Sequence, residues 1–416
     1  MLTDFKRIRE LEQTFGSPFY LFDVNKLRTN YEKMNNAFKS KYSNFIIGYS
    51  YKTNYLPFLC KELANLGAYA EVVSRLEYDL AMKIGVTPTK IIFNGPLKTY
   101  QDIEMALNNG SILNIDSLYE INLLKKYCEV NKGKQVRIGI RLNFDLSHHG
   151  EDALQEGYEV SRFGVCTSNG DLDTAVEQLN QIKNITIIGV HGHFSTKERK
   201  VETYKNITNV LCSIAKQYFP ETIEYVDIGG GFYGELPESF NIDSPSFDDY
   251  ANAVCTMMNQ EFADLDRKPY LIIEPGISMV ANVFTFIAKV IETKKMRNKH
   301  FVLIDGSVHN IKPTMHKRNL PMRIVKKDLE STSSGTYNIV GYTCMEKDYL
   351  ANDVNGLLPV VNDYILFENV GAYTIVFNPP FIKERPCIIA VDQNEYFVVR
   401  KKESFKEFFN EELYIF

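Results

Sequence analysis

At 416 residues the chain is long enough for two domains, and its 44% hydrophobic and 24% charged shares are those of an ordinary globular protein. A net charge of -5, with Lys and Arg spread along the chain, excludes a nucleic-acid or anionic-membrane surface as its purpose. Seven scattered cysteines with no Cys-x-x-Cys pair point to a reducing, cytoplasmic setting and to no zinc site; the opening residues lack a signal peptide's apolar core, and no run is long enough to span a bilayer.

In chain order, 5–15 predicts a short helix, 19–22 a strand, and Asp23 a cap for a helix over 25–39. From residue 44 a rhythm sets in of an apolar run, a polar or glycine-rich end and an amphipathic segment of helical period. The runs cover 45–49, 68–73, 90–93, 112–115, 135–142, 185–190, 223–228 and 270–273, and helical patterns such as 56–66, 75–84, 99–108, 118–130, 172–181 and 202–218 separate most of them. Eight such units predict a closed (β/α)8 TIM-like barrel over 24–280. An open doubly wound sheet is the alternative, but it would gather its polar strand ends at one switch point rather than at nearly every strand. After about 280 strand-like runs follow one another without long helices, which predicts a C-terminal all-β domain made of 281–416 with 1–23, ending in a short helix near 403–410.

The strand ends carry the chemistry. The first run ends in Tyr49-Ser50-Tyr51-Lys52-Thr53-Asn54, where a lysine amine would lose hydration and become available as a free amine. Taken alone, this stretch favours Lys52 as a side chain snorkelling into water, and the strand ends that follow reverse that reading. The sixth ends in His191-Gly192-His193, whose alternation is expected to turn the two imidazoles to opposite sides. The seventh ends in Asp227-Ile228-Gly229-Gly230-Gly231, a plain turn or a set of bare N–H groups suited to a phosphate. The eighth ends in Glu274-Pro275-Gly276, an acid at the barrel mouth.

Together with Cys344-Met345-Glu346-Lys347-Asp348 and Gly371-Ala372-Tyr373, these motifs resemble, in kind and in order, the fold-type III pyridoxal-phosphate decarboxylases, among them the diaminopimelate, ornithine and carboxynorspermidine enzymes. The resemblance covers residues 18–379. It implies pyridoxal 5'-phosphate as cofactor, Lys52 as the Schiff-base lysine, His193 stacked on the cofactor ring and Glu274 opposite its nitrogen. It further implies a phosphate cradle of Thr196, Gly229, Gly230, Gly231, Gly276 and Tyr373, and an acid–base pair of Glu71 and Arg141 beneath the cofactor. A homodimer with shared active sites follows from the same resemblance. In it Cys344 is the proton donor in the neighbouring subunit's site, and Asp348 pairs with Arg162 across the interface.

Two departures bear on substrate. Met345 stands where family members that grip a distal ammonium carry an acid, and Ile277 stands where many have an arginine after Glu-Pro-Gly. The usual Arg-Pro-x-x-Tyr appears as Lys312-Pro313-Thr314-Met315-His316. These departures point away from free diaminopimelate or ornithine and toward a modified or carrier-attached amino acid, with a carrier protein as a further partner. His148-His149, Lys312, His316 or Arg318 would then meet its distal group. Diaminopimelate decarboxylation proper, an amino-acid racemase of the same architecture, and a catalytically silent regulatory homologue are the alternatives. A racemase of this type places an arginine rather than Glu274 at the ring nitrogen. Residues 144–160 read as a loop over the mouth.

Overall fold

The computed structural model describes residues 4–147, 154–327 and 333–414. The chain divides into two compact units, one made of residues 28–235 and 242–279, the other of 1–27, 236–241 and 280–416.

In the first unit eight parallel strands, Phe45–Ser50, Tyr69–Val72, Ile91–Phe93, Ile112–Ile115, Val136–Asn143, Ile185–His191, Tyr225–Asp227 and Tyr270–Ile273, pair in sequence. The eighth returns to the first through Leu271 beside Phe45, and the fourth joins the fifth through Asn114 beside Gly139, so the barrel closes. These short runs are buried on both faces, which is why they read as continuous apolar stretches rather than alternating ones. Ile92, Tyr225 and Ile272, flanked by Ile46, Tyr69, Ile112 and Ile188, fill part of the interior. The separating helices take their limits from local chemistry. A capping box, Thr99 with Asp102, opens Tyr100–Asn109, and Gly110 in the left-handed region closes it. The helix Phe247–Glu261 falls outside the helical patterns named from sequence, although Ser246 and Asp249 form a capping box at its start.

The short strand Val165–Cys166 extends the fifth barrel strand, pairing Leu142 with Val165. Deep in the same unit Lys98 and Glu120 form an ion pair at 2.9 Å with both side chains fully buried. Lys98 also donates to Gly95 O, while Glu120 Oε1 accepts the backbone N–H groups of Asp116 and Ser117. A buried pair of this kind is stable only because its remaining donors and acceptors are met. Here it fixes the loop that carries Asp116.

The second unit is a mixed sheet with nine strands among the described residues. Phe19–Asp23 lies inside it, antiparallel to Phe284–Met296 and parallel to Cys387–Asp392. Ile8, Leu11, Phe19, Ile287, Leu366 and Ile389 belong to one buried core, so the N-terminal helix Phe5–Phe15 is held by apolar packing. The closing helix is the single turn Phe405–Phe408. Among the described residues no helix is long and apolar enough to cross a membrane.

Candidate active site

Lys52 lies in the 3-10 turn Tyr51–Thr53 that directly follows the first barrel strand. A Cβ on Gly276 would overlap Thr53 Oγ1, so the loop after the eighth strand can close on this turn only with glycine there. The sequence predicts a desolvated amine, but the Lys52 side chain is 30% exposed, with its Nζ 2.9 Å from Glu71 Oε2. Glu71 is 1% exposed and also accepts from Ser50 Oγ at 2.5 Å. One buried carboxylate therefore sets the lysine's position.

Glu71 does not pair with Arg141, as the resemblance had implied. Arg141 donates to Asp116 Oδ1 at 2.9 Å and to His193 O at 3.1 Å. Strand register is the reason. The fourth and fifth strands align Ile115 with Ile140, which brings Asp116 beside Arg141 at their ends. The Arg141 and Arg162 guanidinium groups both lie over the Phe163 ring, 4.8 and 4.1 Å from its centroid.

Across the mouth His191, Asp227 and Glu274 bring ligand atoms within 4.8 Å of one another, all buried. Burial, and after it the neighbouring Glu274, pushes the Asp227 carboxyl well above the usual range. For Glu274 burial works the same way, but His191, Lys52 and His193 outweigh it and hold the carboxyl well below that range. Two acids this close share one proton, and it resides on Asp227. Glu274 keeps its charge.

Of the two histidines, only His191 belongs to the strand. The strand ends at His191, where Gly192 N binds Asp227 O, so strict alternation stops there. His191 Nε2 lies 3.5 Å from Glu274 Oε2, and His193 also feels Glu274 and Lys52. Burial, then the Lys52 charge, lowers His193 to about 3, so its ring is neutral at pH 7. An unfolded histidine binds its proton near pH 6.5, so the native state loses stability as the pH falls from about 6.5 toward 3. Urea midpoints of the cofactor-free chain are expected to drop over that window, and less steeply in His193→Gln.

The glycine triplet needs a correction. Gly229 N donates to Asp227 Oδ1 and Gly230 N to His193 Nδ1, both at 3.0 Å. Only the Gly231 N–H has no acceptor among the described residues and can serve a phosphate. The glycines chiefly permit close approach, since a Cβ on Gly230 would overlap Glu274 O. Thr196 forms a bridge with Leu154, which ties the returning limb of the 144–160 loop to this strand end; His148 and His149 lie outside the described residues. Ile277 opens the short helix Ile277–Val280.

Sequence reasoning missed Asn94. Its Nδ2 donates to Glu71 Oε1 at 3.1 Å and to Glu274 Oε1 at 2.5 Å, and its Oδ1 accepts from Asn114 Nδ2 at 2.8 Å. Asn114 Oδ1 in turn accepts from Tyr225 Oη at 2.7 Å. The signal available was a polar residue interrupting an apolar run, Leu113-Asn114-Ile115.

In the β-rich unit Cys344 is exposed and Met345 half-buried. Asp348, expected to reach Arg162 of a partner copy, is buried and occupied within its own chain: it accepts from Val308 N at 2.7 Å and from Thr343 N and Oγ1 at 2.9 and 2.6 Å. Lys312 is buried with its pKa lowered by desolvation, and His316 is lowered by burial and then by Lys312. Tyr373 has φ +55°, a sterically uncommon conformation for a bulky residue, and stacks on Phe377 at 6.0 Å.

An aldehyde cofactor with a protonatable ring nitrogen calls for an amine, a permanently charged acid and a free backbone donor in one mouth. Lys52, Glu274 and Gly231 supply them, and the Glu71–Asn94 bridge ties the amine to the acid. Comparison with known proteins agrees. The chain is 27% identical over 404 residues to a diaminopimelate decarboxylase of Aquifex aeolicus, covering 96% of this chain and 92% of that one. It is 29% identical over 400 residues to a probable chloroplastic diaminopimelate decarboxylase of Oryza sativa, covering 94% and 79%. The crystal structure of Methanocaldococcus jannaschii diaminopimelate decarboxylase in co-complex with L-lysine superposes with a TM-score of 0.86 at 25% identity, covering 97% of this chain and 93% of that one. The pyridoxal-binding domain of the pyridoxal-dependent decarboxylases matches residues 25–281. With that match across a closed eight-stranded barrel, the chain belongs to the pyridoxal-dependent amino-acid decarboxylases, and pyridoxal phosphate is its cofactor.

Proposed function

We propose that this enzyme decarboxylates free diaminopimelate to lysine, working as a homodimer. The observation that carries the substrate is that relatives matched over nearly the whole chain are named diaminopimelate decarboxylases. Lys312 supports it: a buried amine with no ion-pair partner among the described residues and with His316 beside it suits a distal carboxylate. The carrier-attached substrate expected from Met345 and Ile277 finds no support among these relatives. Met345 instead predicts a weaker grip on the distal ammonium, read as a raised KM. A racemase is disfavoured because Glu274 is a charged acid where that chemistry uses an arginine.

Bound in the barrel mouth, pyridoxal phosphate supplies an aldehyde and an electron-accepting ring. Lys52 would hold its aldehyde, His193 its ring face, Glu274 its ring nitrogen, and Gly231, Thr196, Gly276 and Tyr373 its phosphate. Held well below the usual carboxylate range, Glu274 stays ionised and would keep a proton on the ring nitrogen. His193, neutral, adds no positive charge beside that proton. Glu71 and Ser50 orient the Lys52 amine. Cys344, an exposed thiol, returns the proton to the substrate carbon from the second subunit.

Release of CO2 from diaminopimelate, lysine, ornithine and arginine tests the reading. Turnover of diaminopimelate at least 100-fold above the others is expected. Brisk turnover of ornithine or arginine with none of diaminopimelate would reassign the substrate.

A further inference from the structure

We infer that Asn94 is a positioning residue whose single amide holds the lysine-orienting carboxylate of Glu71 and the ring-facing carboxylate of Glu274 in register, with Asn114 and Tyr225 fixing which way that amide points. The inference rests on the roles proposed above for Lys52 and Glu274.

The hydrogen-bond chain has one polarity. Tyr225 is buried, and burial keeps the proton on its phenol, which donates it to Asn114 Oδ1. That leaves Asn114 Nδ2 facing Asn94 Oδ1, which leaves Asn94 Nδ2 facing the two acids. Turning the Asn94 amide over would set its oxygen against both carboxylates and its NH2 against that of Asn114. A carboxamide NH2 has two protons, one for each acid. No other side chain of that size offers two donors on one atom without bringing a charge.

The room for this chain is built into the backbone. A Cβ at Gly139 would overlap both Asn114 Oδ1 and the Tyr225 hydroxyl, and a Cβ at Gly189 would overlap the Tyr225 ring. These glycines lie directly opposite one another on the fifth and sixth strands. Two neighbouring strands thus give up side chains at the level where the phenol reaches Asn114. Ordinary packing of a barrel interior fills such positions with branched apolar residues. Asn94 touches Glu274 and Glu71 but reaches Lys52 only through Glu71.

The test uses Asn94→Asp, which keeps shape and adds an acid, and Tyr225→Phe, which removes only the distant hydroxyl. In the holoenzyme the pH midpoint of the cofactor's visible absorption band is expected to rise by about one unit in Asn94→Asp, and by a smaller amount in the same direction in Tyr225→Phe. The second variant should lose about tenfold in kcat with KM within about twofold, as expected when an interaction of the transition state alone is weakened. Acylation of Lys52 in the cofactor-free chain, mapped by peptide against pH, gives a readout independent of turnover, and its midpoint should rise in Asn94→Asp. If both variants fold and both midpoints match the wild type, Asn94 is only a packing residue. Should Asn94→Asp fail to fold, Tyr225→Phe decides alone. Borohydride reduction of the wild type separates the two levels of argument: a cofactor attached elsewhere than Lys52 sinks the proposed site, whereas Lys52 attached with unmoved midpoints sinks this inference only.

Discussion

Lys52→Ala is expected to lose the cofactor's visible absorption band and all measurable turnover, with the fold retained. The amine sits in a turn rather than in the packed interior, and its side chain is 30% exposed, so its removal creates no closed cavity. What remains is Glu71, still bonded to Ser50 Oγ and Asn94 Nδ2, and therefore still satisfied. Stability should change by less than about 1 kcal/mol, the range of a partly exposed ion pair. Turnover should fall by at least about 10⁴-fold, because among the described residues no other lysine is bonded to Glu71 or Glu274 to replace a covalent attachment. The measurement is a spectrum and a CO2 assay on the same preparation. Full activity in Lys52→Ala would end the assignment of this lysine.

The second large effect concerns the two buried acids, which should respond very differently. Glu274→Gln is expected to lower kcat by about 10³-fold, roughly 4 kcal/mol of barrier, because a neutral amide cannot hold a proton on a ring nitrogen. Asp227→Asn is expected to stay within about tenfold of wild type. Its carboxyl is already protonated in the fold, so asparagine reproduces its neutral shape and can still accept from Gly229 N. Asp227 also carries a pH signature. Its pKa is raised by folding, so the stability it contributes is full below the unfolded carboxyl pKa and is lost as the pH climbs toward the folded value. Asp227→Asn should flatten that loss with rising pH. Equal damage from the two substitutions would show that the proton is not held on Asp227.

The barrel was readable because each strand is a short apolar run with a polar end, and each helix between has its own period. Strand ends alone locate Lys52, His193, Gly231 and Glu274 at one mouth. What they leave open is which end meets which. Glu71 pairs with Lys52 and Arg141 with Asp116 because of inter-strand register, which no local pattern carries. The same holds for Gly229 and Gly230, whose N–H groups look available in sequence until Asp227 and His193 are folded against them. Asp348 is a related case. The family resemblance pairs it with Arg162 across an interface, yet here it accepts from its own chain at Val308 and Thr343. Asn94, Asn114 and Tyr225 went unnoticed because each, alone, is an unremarked polar residue near a strand. Only closure of the barrel puts them in line.

The Tyr225–Asn114–Asn94 line has a consequence for assembly as well as for chemistry. Apolar side chains tolerate a neighbour that slides by one position, but directional bonds between the third, fourth and seventh strands and the two acids do not. A molecule that closed its barrel out of step would therefore arrive with its acids unbridged. Errors of folding in this enzyme should yield inert protein rather than a sloppy catalyst.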